Sequence, residues 1–379
     1  MDIQELRGQI NDIDDQLRQL FLRRMETAEQ IGKYKRRNGL AVLDRSRERD
    51  ILARVSAGLE EPMAGFVRRL YRTLFDMSRT YQAMNTGSES PLADQIRQAL
   101  DNSPRKLPSV VTAACQGVEG AYSQLACDRL FSGANIMYMD SFEGVALAVS
   151  GGLCDYGVLP IENNIYGSVN TVYDLMCKHQ FYIVRSMKLR VSHCLAVKPG
   201  VTDADIREIA SHEQAIGQCG KFLAQYPQAK ITRCANTAMA AQMVAQSERS
   251  DVAAICSEES AALYGLTALH QDIQDSDNNY TRFICISRNM QIIEGAGKVS
   301  VTFRVAHRPG SLYEVLSGLA AAGLNLCKLE SRPIPGRDFE FQFYADIDCD
   351  CRDEGVIPLL CALENATEHF TFLGAYSEA

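Results

Sequence analysis

No apolar run in this 379-residue chain approaches the ~18 residues that a membrane-spanning helix needs. No C-x-x-C pair occurs, and the six histidines show no ligand-like spacing. There are 13 cysteines, an odd number, and the only tight pair is Cys349/Cys351. A disulfide framework or a metal site is therefore not expected, and the cysteines read as small core hydrophobes of a reducing compartment. Positive charge is not in excess: 39 Lys and Arg stand against 47 Asp and Glu, a net charge of −8. That argues against a protein built to coat nucleic acid or an anionic membrane. The opening segment MDIQELRGQINDIDDQ is charged and lacks an apolar core, so no secretory signal is read there and a cytoplasmic location is expected. Proline is almost missing from the first 85 residues, where only Pro62 occurs, and the block reads as helix throughout.

The chain has 46% hydrophobic and 23% charged residues, an ordinary globular mixture, and its length suggests two or three domains. The expected organisation is an all-α block at 1–85, a linker at 86–107 flanking one short amphipathic stretch, an α/β block at 108–289 and a final block at 298–379. Strand candidates of the α/β block are SVVTAAC, IMYMDS, YGVLPI, FYIVRSMKLRVSHCLAV and TRFICIS. The final block reads strand, helix, strand, strand, helix, strand, a ferredoxin-like α+β plan with PGRD as a turn.

In the helical block, Ile3, Leu6, Ile10, Ile13, Leu17 and Leu20 form a heptad seam. The next seam position is Arg24, and Ile31 resumes the seam two turns on. Lys35 follows Arg24 by about three turns, which places both cations on one stripe. They read either as snorkelling surface residues or as the cations of an anion pocket. Arg7 lies about 25 Å before Arg24 along the same helix, so it serves a symmetry mate's pocket if it contributes at all. Asp44 is a candidate N-cap for a second helix bearing Arg47 and Glu48, and a third helix carries Ser78 and Gln82 on one face. Such a set binds and positions a dianion but contains no nucleophile–base pair.

LRGQINDIDDQL, LRRMETAEQIGKYK and LDRSRERDIL resemble the all-helical chorismate mutase family over about the first 82 residues. The resemblance implies active-site positions at Arg7 of a partner chain, Arg24, Lys35, Asp44, Arg47, Glu48, Ser78 and Gln82. Rearrangement of chorismate to prephenate needs no proton transfer. Catalysis means holding the reactive conformer and stabilising charge on the breaking ether oxygen, for which Lys35 and Gln82 are the candidates.

Four segments of the α/β block carry polar groups at strand or helix ends: GVEGAYSQLA, GVLPIENNIYGSV, SHEQAIGQC and NNYTRFICIS. Ser211 reads as the cap of a helix bearing Gln214 and Gln218, and Thr281 and Arg282 enter a strong β run. In order, these segments resemble prephenate dehydratase, with Asn164 and Glu213 as departures beside the key positions. The resemblance implies two α/β subdomains like those of type II periplasmic binding proteins, with substrate between them and no metal or organic cofactor. Thr281 or Glu162 would serve the departing hydroxide, while Asn163, Ser211 and Gln218 would orient substrate. Arg282 would pair a carboxylate or hold the strand.

In the final block, PGSLYEVL and ESRP resemble the two signatures of the ACT domain of phenylalanine-inhibited dehydratases, with Gly-Ser-Leu in place of Gly-Ala-Leu. The resemblance implies an effector site at Gly310, Leu312, Asn325, Glu330, Ser331 and Arg332 and pairing of chains into at least a dimer. The whole chain thus resembles the bifunctional chorismate mutase–prephenate dehydratases. Two rival readings are a dehydratase with a non-catalytic mutase-like module and a small-molecule binding protein. Retention of Arg24, Lys35 and Gln82 argues against the first, and the intact TRF argues against the second.

Overall fold

The computed structural model describes residues 2–40, 44–86, 90–334, 336 and 340–379. It divides into two compact units, one of Met1–Asp101 with Gly297–Phe372 and the other of Asn102–Ala296 with Leu373–Ala379.

The first unit opens with α1 (Ile3–Arg37), α2 (Arg45–Ser56), α3 (Met63–Thr86) and α4 (Pro91–Asn102). Met25 and Ala28 of α1 are buried, as are Ala64 and Phe75 of α3, where the two helices pack. The seam at the start of α1 behaves differently. Its residues from Ile3 to Leu20 are 39–59% exposed, so the apolar stripe has no cover within one chain. Part of the 86–107 segment is α4, which buries Leu92, Ala93, Ile96 and Ala99.

The second unit contains two α/β lobes. The first lobe comprises β1 (Val110–Gln116), α5 (Tyr122–Leu130), β2 (Gly133–Met139), α6 (Phe142–Ser150), β3 (Tyr156–Asn163), β4 (Gly167–Ser168), α7 (Asn170–Lys178) and β5 (Tyr182–Arg190). The chain then crosses into the second lobe, with β6 (Cys194–Val197), β7 (Glu208–Ser211), α8 (Glu213–Gln218), α9 (Gly220–Leu223), β8 (Lys230–Arg233), α10 (Thr237–Gln246), β9 (Val252–Cys256), α11 (Glu258–Leu263) and β10 (Thr267–His270). It returns as β11 (Tyr280–Ser287), which inserts antiparallel between β3 and β5. The sheet orders are β5-β11-β3-β1-β2 and β10-β6-β9-β7-β8.

The run FYIVRSMKLRVSHCLAV, expected as one strand region, is two strands in different sheets. The break is held by hydrogen bonds: Val191 N donates to Asn279 O at 2.8 Å and Ile273 N donates to His193 O at 3.0 Å. These bonds join the outgoing and returning crossovers. Four short strands, β7 to β10, were not anticipated. They span four or five residues, and β7 and β9 are wholly buried, so they show no alternation.

The chain re-enters the first unit with β12 (Lys298–Arg304), α12 (Ser311–Ala321), β13 (Asn325–Pro333), β14 (Phe341–Asp348), α13 (Val356–Ala366) and the start of β15 (Glu368–Glu378), whose residues from Leu373 on belong to the second unit. The sheet order β13-β14-β12-β15 is the ferredoxin-like arrangement, with β13 at the edge. Of the expected PGRD turn only Gly336 is described; Pro335, Arg337 and Asp338 lie outside the described residues. Among the cysteines whose burial is described, ten are buried, Cys234 is half-buried and Cys327 is exposed. Among the described residues no His/Cys/Asp/Glu group is arranged to hold a metal, and no helix is long and apolar enough to cross a membrane.

Candidate active sites

The helical unit brings Arg24 and Ser78 together. Arg24 Nη1 donates to the Leu74 carbonyl at 3.0 Å and to the Ser78 hydroxyl, and the guanidinium lies 5.8 Å from the centre of the Phe75 ring. Its hydrogen-bond partners are neutral oxygens, so its charge remains available to an anion. Burial pulls the Arg24 pKa below its ordinary value, because desolvation penalises the cation. Gln82 lies one turn beyond Ser78 and is buried. Lys35 is half-buried farther along α1. Asp44 caps α2 by accepting from Arg47 N at 3.0 Å, while the Arg47 side chain is exposed. Glu48 pairs with Arg79, which also pairs with Asp76. Burial raises the Asp76 pKa, against the lowering influence of Arg79. Sequence reading missed Arg79; the signal available was that Glu48, among so many cations, needs a specific partner. Arg7 is exposed on the same unbroken α1 and does not share a pocket with Arg24 of its own chain.

The dehydratase motifs converge where the two lobes meet. Thr281 faces Asn163 across the β11–β3 ladder, and Asn163 Nδ2 donates to Thr281 Oγ1 at 3.0 Å and to Asn279 Oδ1 at 2.9 Å. Asn163 Oδ1 accepts from the backbone amides of Ile165 and Tyr166, both at 3.0 Å. Those two donors fix the orientation of the amide group, because backbone N–H groups cannot accept. Thr281 Oγ1 is therefore an acceptor from Asn163, and its own proton is free to donate elsewhere. Asn279 Nδ2 continues to Gln218 Oε1 at 3.0 Å, and His193 Nε2 lies 2.8 Å from the same oxygen. From the first lobe, Tyr166 Oη donates to Gln214 O at 3.2 Å in the second. Asn279 and His193, fully or almost fully buried, were missed by sequence reading. Asn279 is two residues before Thr281 and was within reach; His193 had no local signal.

The structure decides between alternatives at two of these positions and corrects a third. Glu162 lies opposite Arg282 in the ladder, one residue from the Asn163–Thr281 pair. Strand alternation puts Glu162 and Arg282 on the opposite face from Thr281, which disfavours Glu162 as proton source. Of the two expected readings of Arg282, its contacts fit the one that holds the strand: Nη2 donates to Tyr376 Oη at 2.7 Å and Nε is 3.6 Å from Glu378 Oε1. Ser211 is not a helix cap. It ends β7, is fully buried and donates to Ile255 O at 2.7 Å, because it is still paired within its sheet. His212 caps α8 instead, through Gln214 N at 3.3 Å.

In the final block, Gly310 adopts φ +88° before α12, a conformation that favours glycine. It and Leu312 line a concavity of about 440 Å³ with Phe341 and Phe343, and the buried Ser311 hydroxyl there has no partner among the described residues. Glu330, Ser331 and Arg332 pair in register with Tyr344, Phe343 and Gln342, at the same end of the sheet. Asn325 does not join them. It pairs with Asp348 at the other end, donating to that carboxylate at 2.7 Å, about 17 Å along β14 from Phe343. Within one chain, the expected effector residues therefore form no single site.

The family model for prephenate dehydratase matches residues 113–291, and that for chorismate mutase type II matches residues 6–83. The bifunctional chorismate mutase/prephenate dehydratase of Escherichia coli (strain K12) is 32% identical over 381 residues, covering 98% of this chain and 95% of its own. Arogenate dehydratase/prephenate dehydratase 2, chloroplastic, of Arabidopsis thaliana is 35% identical over 318 residues, covering 79% of this chain and 81% of its own. A solved prephenate dehydratase from Arthrobacter aurescens, in complex with L-Phe, aligns with a TM-score of 0.64 at 29% identity, covering 70% of this chain and 90% of that one. With both catalytic families matched in order and a bifunctional relative aligned along nearly its full length, the chain belongs to the bifunctional chorismate mutase/prephenate dehydratases, enzymes of phenylalanine biosynthesis.

Proposed function

We propose that this chain divides its two reactions between a helical dianion pocket and the Thr281 centre. The proposed domains are 1–85 for the mutase, 108–289 for the dehydratase and 298–379 for an ACT regulatory domain. At the helical pocket, Arg24 binds a carboxylate, and Lys35 and Gln82 stabilise charge on the breaking ether oxygen of chorismate. Ser78 holds Arg24, and Arg79 holds Glu48. The exposed stripe on α1 supports a dimer in which the partner's Arg7 completes each pocket.

At the second site, prephenate loses its ring hydroxyl and CO2, and aromatisation to phenylpyruvate drives the loss. Thr281 donates its hydroxyl hydrogen to the departing oxygen, and Asn163 and Gln218 orient substrate. The observation that carries this reading is the direction of the Asn163–Thr281 hydrogen bond, which leaves the threonine proton free. A threonine hydroxyl is a weak acid, so its role is to hydrogen-bond the leaving group rather than to ionise. The test is Thr281→Val assayed with supplied prephenate. Loss of phenylpyruvate formation with intact mutase activity is expected; dehydration within a few-fold of wild type sinks the assignment.

The concavity before α12 supports phenylalanine as an inhibitor, with the amino acid's carboxylate at the Leu312 and Tyr313 amides of the first turn of α12 and its ring against Leu312. Asn325 enters such a site only from a second chain. A cytoplasmic location follows from the expected reducing compartment.

A further inference from the structure

We propose that His193 is a positioning residue of the dehydratase centre: as the Nε2–H tautomer it holds the Gln218 amide with its NH2 group turned toward substrate. The inference rests on the reading above that Gln218 orients substrate beside Thr281.

The direction of every hydrogen bond follows from one end. The backbone amides of Ile165 and Tyr166 make Asn163 Oδ1 an acceptor, so Asn163 Nδ2 is the donor to Asn279 Oδ1. Asn279 Nδ2 is then the donor to Gln218 Oε1. Gln218 Oε1, already an acceptor, is also the atom 2.8 Å from His193 Nε2, so that nitrogen must carry the hydrogen. Two donors thus clamp one amide oxygen. The Gln218 NH2 group has no partner among the described residues and offers two hydrogens suited to a carboxylate or keto oxygen.

The other ring nitrogen shows that this arrangement has a cost. His193 is 2% exposed, and its Nδ1 is buried with no hydrogen-bond partner among the described residues. The Tyr122 ring stands edge-on to the imidazole at 6.1 Å, and the Tyr122 hydroxyl is taken by Ser192 O. A buried acceptor without a donor is unfavourable, and an apolar side chain of this volume would avoid it. What an apolar residue does not supply is a rigid N–H aimed at Gln218. The backbone of His193 is fixed as well: its N–H donates to Gln274 Oε1 at 2.9 Å and its carbonyl accepts from Ile273 N. The imidazole thus stands on the joined crossovers of the two lobes, and among the described residues its one polar side-chain contact leads to the Gln218–Asn279–Asn163–Thr281 chain.

The test uses the full-length protein. In nitrogen-15 spectra, His193 should show a protonated Nε2 and a bare Nδ1; the opposite tautomer overturns the proposal whatever any variant does. His193→Phe keeps ring volume and removes the donor. It should lower kcat on prephenate about tenfold, the equivalent of one hydrogen bond of about 1.4 kcal/mol, with mutase activity unchanged. His193→Gln places an amide N–H near the lost donor and should recover kcat to within about threefold. Wild-type kcat in His193→Phe, or equal losses in the Phe and Gln variants, overturns the donor role. Thr281→Val keeps the failures separate: full dehydration in that variant sinks the threonine reading, while the tautomer still tests His193 on its own.

Discussion

At the residue scale, the two proposed sites draw on different segments of the chain, so single substitutions should separate them. Lys35→Ala is expected to abolish chorismate turnover while supplied prephenate is still dehydrated. Removing one group that stabilises developing oxyanion charge typically lowers rate by about 10²–10³. Mutase activity within a few-fold of wild type would remove Lys35 from the site. A second residue-scale expectation concerns pH. Burial holds His193 below its ordinary value of 6.5, and His212 is depressed for the same reason. Between the lowered folded value and 6.5, the unfolded chain binds a proton that the folded chain refuses, so stability rises with pH. The contribution is complete above about 6.5 and is lost as pH falls below it. Thermal melting between pH 7.5 and 5.5 should therefore show a shallower decline in His193→Gln than in the natural chain; equal slopes would mean that His193 titrates normally.

At the scale of elements, the returning C-terminal strand is held by a close approach that only glycine permits. Gly374 in β15 has φ +145°, and a Cβ there would stand 2.1 Å from the carbonyl oxygen of Ile183 in β5. Beyond it, Tyr376 and Glu378 receive Arg282, and Ala379 N donates to Ser186 O at 2.8 Å. Gly374→Ala is expected to destabilise the protein by ~3 kcal/mol, since overpacking and an unfavourable φ act together. A change smaller than 0.5 kcal/mol, a magnitude typical of neutral surface sites, would show that β15 shifts freely to make room.

For the whole molecule, the expectations concern coupling between chains and between distant sites. Arg7→Ala and Lys35→Ala chains should each lack mutase activity as homodimers. After subunit exchange, a mixed dimer should regain about one competent site, because the two defects fall in different pockets. Verified exchange without recovery would mean that Arg7 does not act in trans. Phenylalanine should weaken binding of a prephenate analogue, and the analogue should weaken phenylalanine by the same factor. Calorimetry on the intact protein measures both directions. Phenylalanine that binds without altering analogue affinity would leave the βαββαβ block as a pairing module only.

The sequence by itself determined the elements whose signal is local. The α1 heptads, the Asp44 cap, the Asn325–Pro333 strand and the helix after Gly310 are all written in spacing or in residues that only one backbone conformation suits. Resemblance of their motifs to prephenate dehydratase, not local spacing, implied that Asn163, Gln218 and Thr281 serve one centre. Tertiary structure alone decided what depends on partners distant along the chain. His193 and Asn279 acquire meaning only where two crossovers meet 86 residues apart. Ser211 and Arg282 look equally suited to substrate in the sequence, yet one is taken by Ile255 O and the other by Tyr376. Glu162 falls on the opposite face of the ladder from Thr281, and Asn325 is separated from Gly310 by the length of the sheet. Periodicity tells how a segment is shaped and which face is apolar; which face meets which neighbour is fixed by packing that no local window contains.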